Sequence, residues 1–303
     1  MSDIQAQIIR EIPQASSLKQ WIARQPVAAY FVLAFLSTWI LQLPMVLGQD
    51  GLSIFHFSIP LPIYIVLFLA SSFTGPTGAA VYITSVLEGQ KGVRRFFGRY
   101  KQWRIGLRWY LFAFFALPLI YLVAAMIFMG IEPLTALVTH WQVFFTTYLP
   151  ALLIFPAFIT WGEEPGWRGF ALTRLQEKYS PLVSSVIVGL LHGLWHLPVF
   201  MIVNGPPALG PFDPIHFLVN TFGIMMITLI WTWVFNNAKG SILMAVLLHA
   251  SSNATSAFIG TLIPDLPKQV GHTTFVIYFL LAAVLVVTTN GLLGYQSKQA
   301  EIE

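Results

Sequence analysis

The sequence predicts an all-α, polytopic membrane protein with about eight transmembrane helices, and three observations carry that prediction. Of 303 residues, 56% are apolar and 9% charged, against roughly 25% charged in soluble domains, and mean hydropathy is +0.73. Eight runs are apolar enough over the length of about 20 residues that a bilayer crossing takes. The basic residues fall almost wholly on one side of those runs. Sixteen Lys and Arg and 12 Asp and Glu are too few to clothe a soluble chain of this size. Soluble globular, disordered and coiled-coil classes are excluded. The absence of Cys excludes a disulfide scaffold, a thiolate zinc site and a Cys nucleophile together.

The apolar runs lie near 27–48, 60–87, 109–130, 142–162, 182–203, 215–235, 241–262 and 273–294. The second is long and holds Gly75, Pro76 and Gly78, which predicts a kink or tilt. Before residue 27 the chain is polar and has no apolar h-region, so no cleaved signal peptide is expected and the first run reads as an uncleaved signal anchor. Eight spans with both termini cytoplasmic place Arg10, Lys19, Arg24, Lys91, Arg94, Arg95, Arg99, Lys101, Arg104, Arg108, Arg168, Arg174, Lys178, Lys239 and Lys298 inside, and Lys268 alone outside. That asymmetry is the positive-inside pattern, and an odd number of spans would destroy it. The net charge of +4 therefore follows membrane topology and gives no argument for nucleic acid. Between spans two and three, KGVRRFFGRYKQWRIGLR (91–108) interleaves basic and aromatic residues, as an interfacial segment hugging lipid headgroups would. No repeat or soluble segment is visible, and residues 1–303 read as one domain in the cell membrane.

Ionisable groups within spans are costly and are functional candidates by default. Four of the eight runs have none. Glu163 and Glu164 stand at the inner end of run four, with Arg168 four residues after Glu164, where a helix would pair them on one face. Glu163 then points about 100° away and is left free as a general base, although Pro165 restricts the helix there to a first turn or a kink. His192 and His196 share a helix face in run five. The metalloprotease signature HExxH needs Glu at its second position, where Gly193 stands, so one structural and one functional His is the expected arrangement. In run seven His249 and Asn253 again share a face. They offer either hydrogen-bond donors for an oxyanion or an interhelical hydrogen bond worth about 1 kcal/mol. His56, His140, His216 and His272 have no partners at telling spacings.

Three of these clusters, in this order, resemble the CPBP family, the type II CAAX prenyl endopeptidases and bacteriocin-processing proteins also called Abi proteins. The resemblance is close around EEPGWRGFALTRLQ (163–176), LLHGLWHLP (190–198) and SILMAVLLHASSNA (241–254), and weaker upstream to about residue 60. It implies that Glu163 and Glu164 are the essential pair with Arg168 as the motif's basic residue. His196 takes the His of a Phe-x-x-x-His motif, whose Phe position His192 occupies, and His249 and Asn253 form the third motif. The role of His192 is left open.

The resemblance further implies an intramembrane endopeptidase with a catalytic core at about 142–262 and a cavity open to the cytoplasmic side. Glu163, helped by His196, is expected to activate a water. Glu164 with Arg168 is expected to hold the geometry, and His249 with Asn253 to stabilise the oxyanion. The expected partner is a peptide or protein substrate, membrane-associated or lipidated. No cofactor is expected; the alternative is Zn²⁺ on Glu163, His196 and His249, with water at the open fourth position. Two other readings use the same polar groups: a transporter, and a non-enzymatic membrane protein that binds a peptide for bacteriocin immunity.

Overall fold

A computed structural model describes residues 17–155, 159–204 and 211–296; Arg10 and Lys298, counted above for orientation, lie outside them. The structure is 81% helical, and no strand occurs among the described residues. After a short amphipathic α1 (Ser17–Arg24), α2 (Pro26–Leu47) makes the first crossing. The long second crossing is α3 (Leu61–Ser72) and α4 (Ala79–Gly98), joined through a widened π turn at Phe73–Gly78. The kink expected from Gly75 and Pro76 is that π turn. Proline has no N–H to give and clashes with the preceding turn, and the wider i→i+5 turn takes up the strain.

Helix α5 (Leu107–Met129) follows, then the short α6 (Glu132–Thr139) and α7 (Leu149–Phe155), which begins from a π turn at Phe144–Tyr148. The glutamate pair sits on α8 (Trp161–Glu164), which continues through a π segment, Pro165–Leu172, into α9 (Thr173–Gln176). Then come α10 (Pro181–Trp195), α11 (Leu197–Phe200), α12 (Pro214–Asn237), α13 (Ile242–Leu262) and α14 (Lys268–Thr288).

Seven of these helices are long and apolar enough to cross a membrane; an eighth crossing requires α6 and the 144–154 helix, bent 77° from each other, to count as one. The chain is a multi-pass membrane protein. The run at 142–162 holds the 144–155 helix and α8, and the 77° bend lies ahead of the first of these, between α6 and the 144–154 helix. The first half of the 91–108 segment continues α4 beyond a break at Gly89 (φ 61°); most of its residues are exposed, while Phe96 is buried in the core.

The bundle is graded from centre to rim. In the most apolar stretch of α13, 67% is buried inside the protein, against 22% for α14. Outward-facing Leu36, Ile40, Val138, Leu153, Ile215 and Val287 are all exposed, as lipid-facing residues must be where no water competes for them. The main core cluster gathers Ala29, Tyr30 and Ala34 of α2, Ala79, Ala80 and Ile83 of α4, Trp167 and Phe170, Val188 and Trp195 of α10, Phe235 of α12 and Ala245 of α13. At one end of this cluster Arg99 reaches inward. It donates to the carbonyls of Gly169 (2.7 Å) and Gly240 (3.0 Å) and lies over the Phe235 ring.

Candidate active site

The site begins with how closely α8 lies against the π turn of the second crossing. Glycines at 162 and 166 bracket the glutamates. A Cβ on Gly162 would stand 2.9 Å from the carbonyl of Ser72, and one on Gly166 would stand 2.4 Å from Pro76 O and 2.6 Å from the Tyr30 hydroxyl. The two backbones are in direct contact, the small-residue approach that membrane helices use in place of a hydrophobic driving force. Pro165 opens the π segment without ending the helix. The chain thus stays helical across the motif, and Glu163, Glu164 and Arg168 are all buried.

Within that segment Arg168 Nη1 donates to Glu164 Oε1 at 2.9 Å, the i,i+4 pair expected from the spacing. Its second arm, Nη2, donates to Thr228 Oγ1 at 3.0 Å, and the guanidinium lies 4.9 Å from the Trp231 ring centroid. Both belong to α12. Arginine suits this place because one planar group can serve a carboxylate, a hydroxyl and an aromatic face together.

Helix α10 delivers two histidines. Gly189 and Gly193 let it pack tightly on α12: a Cβ on Gly193 would meet Thr221 Cγ2 at 2.7 Å and Thr221 Cα at 2.8 Å. Between them His192 is buried, with Nε2 3.1 Å from Glu163 Oε2. The Trp167 ring lies over it at 4.9 Å and a 30° tilt. His196, half-buried at the C-terminal end of α10, places Nδ1 2.9 Å from the His192 carbonyl. Only an Nδ1–H can satisfy that carbonyl, so Nε2 of a neutral His196 carries a lone pair.

From α13, His249 Nδ1 donates to Glu164 Oε1 at 2.8 Å. One carboxylate oxygen thus accepts from both Arg168 and His249. The His249 ring also packs on Trp231 (5.3 Å) and edge-on to His192 (5.9 Å). Asn253 lies one turn further along α13 and is half-buried.

Four of the six expected site residues, Glu163, Glu164, Arg168 and His249, are tied into one buried cluster through hydrogen bonds and the His192 ring, with His196 at its edge and Asn253 a turn away. The expected partner of Glu163 was His196; its hydrogen-bond partner is His192. The three groups whose ligand-capable atoms all lie within 4.8 Å of one another are Glu163, His192 and His196. His249, expected in that set, has its Nδ1 on Glu164. Two nitrogens and an oxygen on two helices, with a position left for water, are a donor set that zinc accepts. In this structure His192 Nε2 and Glu163 Oε2 are already hydrogen-bonded to each other. Thr228 and Trp231 were not legible in the sequence, where an apolar-run Thr and Trp carry no mark. For His192 the signal was its i,i+4 spacing from His196.

Comparison with known proteins follows the same residues. Positions 144–255, which contain Glu163, Glu164, Arg168, His192, His196, His249 and Asn253, match the family of type II CAAX prenyl endopeptidases, Rce1-like. The chain is also 28% identical over 145 residues to a CAAX prenyl protease 2 of Methanococcus maripaludis. These matches support assignment to the CPBP family. The alignment takes in 48% of this chain and 51% of the relative, so the chain spans about half the length of that curated protein. The CPBP pattern falls on α7 to α13, leaving α1 to α4 as the support against which the glutamate helix is pressed.

Proposed function

We propose that the protein is an intramembrane endopeptidase that hydrolyses a peptide bond in a membrane-associated substrate of the prenylated CAAX type, reached from the cytoplasmic side. The observation that carries this reading is the asymmetry between two adjacent buried carboxylates. Glu164 is engaged by Arg168 and His249, while Glu163 is hydrogen-bonded to the His192 imidazole. Residues at such spacing can divide the labour of a hydrolase. One carboxylate anchors charge, and the other exchanges a proton.

In this reading a water lies between Glu163 and the lone pair of His196 Nε2. Glu163 takes one proton as the water oxygen bonds to the scissile carbonyl carbon. The carbonyl oxygen becomes an oxyanion, and the donors in this reading are His249 Nε2–H and the Asn253 amide. Because His249 Nδ1–H is committed to Glu164, donation from Nε2 requires the ring to hold both protons. The adjacent carboxylate is what balances that charge. Collapse of the tetrahedral intermediate breaks the C–N bond, and Glu163 returns its proton to the departing amine. Zinc, were it resident, would be held by Glu163, His192 and His196 and would supply Lewis acidity to a bound water; the mechanism favoured here needs none.

The test is cleavage of a farnesylated C-terminal peptide library by detergent-purified protein, with new termini mapped by mass spectrometry. Release of the last three residues by the wild type, and none by a correctly folded Glu163→Gln, is the expected result. An amide cannot accept the water's proton. Identical termini from both proteins would sink the glutamate-base reading, and immunity conferred equally by both would favour simple peptide binding.

A further inference from the structure

His192 stands where the resemblance places a phenylalanine, and its surroundings are those of a hydrogen-bonding group. The ring is buried, with Nε2 3.1 Å from Glu163 Oε2 and Nδ1 buried without a hydrogen-bond partner. The two neutral tautomers differ sharply here. With the proton on Nδ1, a donor would be stranded in the interior and two lone pairs would face each other across 3.1 Å. With the proton on Nε2, the donor meets a carboxylate oxygen and only an acceptor is left unused, the smaller cost. Geometry therefore selects Nε2–H for His192.

One turn on, the opposite holds. The His192 carbonyl claims the Nδ1–H of His196, which turns a lone pair at Nε2 outward. Two imidazoles on one helix face are thus set in complementary tautomers, the inner one donating and the outer one accepting. The inner ring is also held in its plane. Trp167, fully buried, lies over it at 4.9 Å, and Trp195 flanks it at 6.1 Å. The close packing of Gly193 on Thr221 sets the height of α10 against its neighbour.

We propose that His192 is a positioning residue for Glu163: its Nε2–H holds Oε2 so that the other carboxylate oxygen faces the water that His196 also contacts. The inference rests on the proposed hydrolase reading and extends it to a residue outside the three-motif pattern. A carboxylate with free rotation about its last bond would share its basic oxygen between orientations. Pinning one oxygen removes that freedom, and such supporting hydrogen bonds are worth about 10- to 100-fold in activity where they have been cut elsewhere.

Two variants and one spectrum test it. His192→Phe keeps an aromatic ring under Trp167 and removes the donor; His192→Gln returns an N–H near the place of Nε2. On the farnesylated peptide, His192→Phe should lower kcat about 10- to 100-fold with KM nearly unchanged and a lowered thermal midpoint, because a buried carboxylate oxygen loses its donor, and His192→Gln should recover most of both losses. In ¹⁵N-histidine NMR of the wild type, His192 should report Nε2–H and His196 Nδ1–H, and the His192 signal should shift in Glu163→Gln. The spectrum does not depend on turnover, so a protein that cleaves no peptide but shows these tautomers would defeat the protease reading and leave the pairing standing. The proposal is overturned by a His192→Phe kcat within twofold of wild type, by a Gln variant as impaired as Phe, or by the reversed tautomers. It is overturned equally by stoichiometric zinc that His192→Phe releases, since His192 would then be a ligand.

Discussion

Gly166→Ala isolates the backbone contact that seats the glutamate helix. Its Cβ would lie 2.4 Å from Pro76 O and 2.6 Å from the Tyr30 hydroxyl, whereas real Cβ atoms essentially never come within 3.0 Å of another heavy atom. The gap to Pro76 O must open from 2.4 Å to at least 3.0 Å, about 0.6 Å. Neither neighbour yields easily. One is main chain inside a π turn, and the other belongs to a tyrosine packed against Trp167 and Phe170. The displacement falls on a residue two places from Glu164 and from Arg168, so it reaches the ion pair undamped. Misplacing a catalytic group by about 1 Å costs roughly 100-fold, and 0.6 Å should cost about 10-fold or more in kcat, with about 1–3 kcal/mol of destabilisation from overpacking. Gly98→Ala is the control, because nothing lies within 4 Å of the Cβ it would add. Peptide cleavage and thermal unfolding in detergent read both effects. A Gly166→Ala protein within twofold of wild-type kcat would refute the claim that this contact sets the site's geometry.

Two further perturbations address the ion pair and the topology. Arg168→Ala should destabilise the protein by about 3–5 kcal/mol, because Glu164 keeps its burial and loses its main counter-ion, whereas the double variant Glu164→Gln/Arg168→Met should regain stability without regaining activity; thermal unfolding of the two alongside wild type decides it, and an unchanged midpoint for Arg168→Ala would contradict the buried-pair argument. Cysteines placed at Asp50, Glu132, Asp213 or Asp265 of this Cys-free chain should react with an impermeant maleimide outside intact cells, and cysteines at Gly98 or Lys239 should not; external labelling of either of the last two would overturn the orientation.

Much of the architecture was legible because a bilayer imposes a coarse and readable demand, about 20 apolar residues per crossing. That demand says nothing about bending. The 77° bend between α6 and the 144–154 helix left no mark in the composition of the 142–162 run that follows it. Likewise Glu164 and Arg168 were paired correctly from spacing alone, since the contact is local, one turn of one helix. His192 with Glu163, and Arg168 with Thr228, join residues 29 and 60 apart in sequence. Only the tilt and rotation of whole helices bring them together, and those are set by glycine contacts such as Gly193 on Thr221. For the same reason the hydrogen bond from His192 to Glu163, one helical turn from the expected helper His196, was not read from the sequence.

Arg99 belongs to two stages in the life of the chain. By the positive-inside rule, a basic residue just after a crossing favours retention of its flank in the cytoplasm during insertion. In the folded protein the Arg99 guanidinium binds the carbonyl of Gly169, at the end of the glutamate motif, and that of Gly240, just before the helix that bears His249. The same charge that can orient a polypeptide is here the fastener that joins two sequence-distant motifs at one end of the bundle. Because a helix threaded the wrong way would put Arg99 on the opposite face of the membrane, only a correctly oriented chain can close that joint, and assembly of the site is thereby conditional on topology.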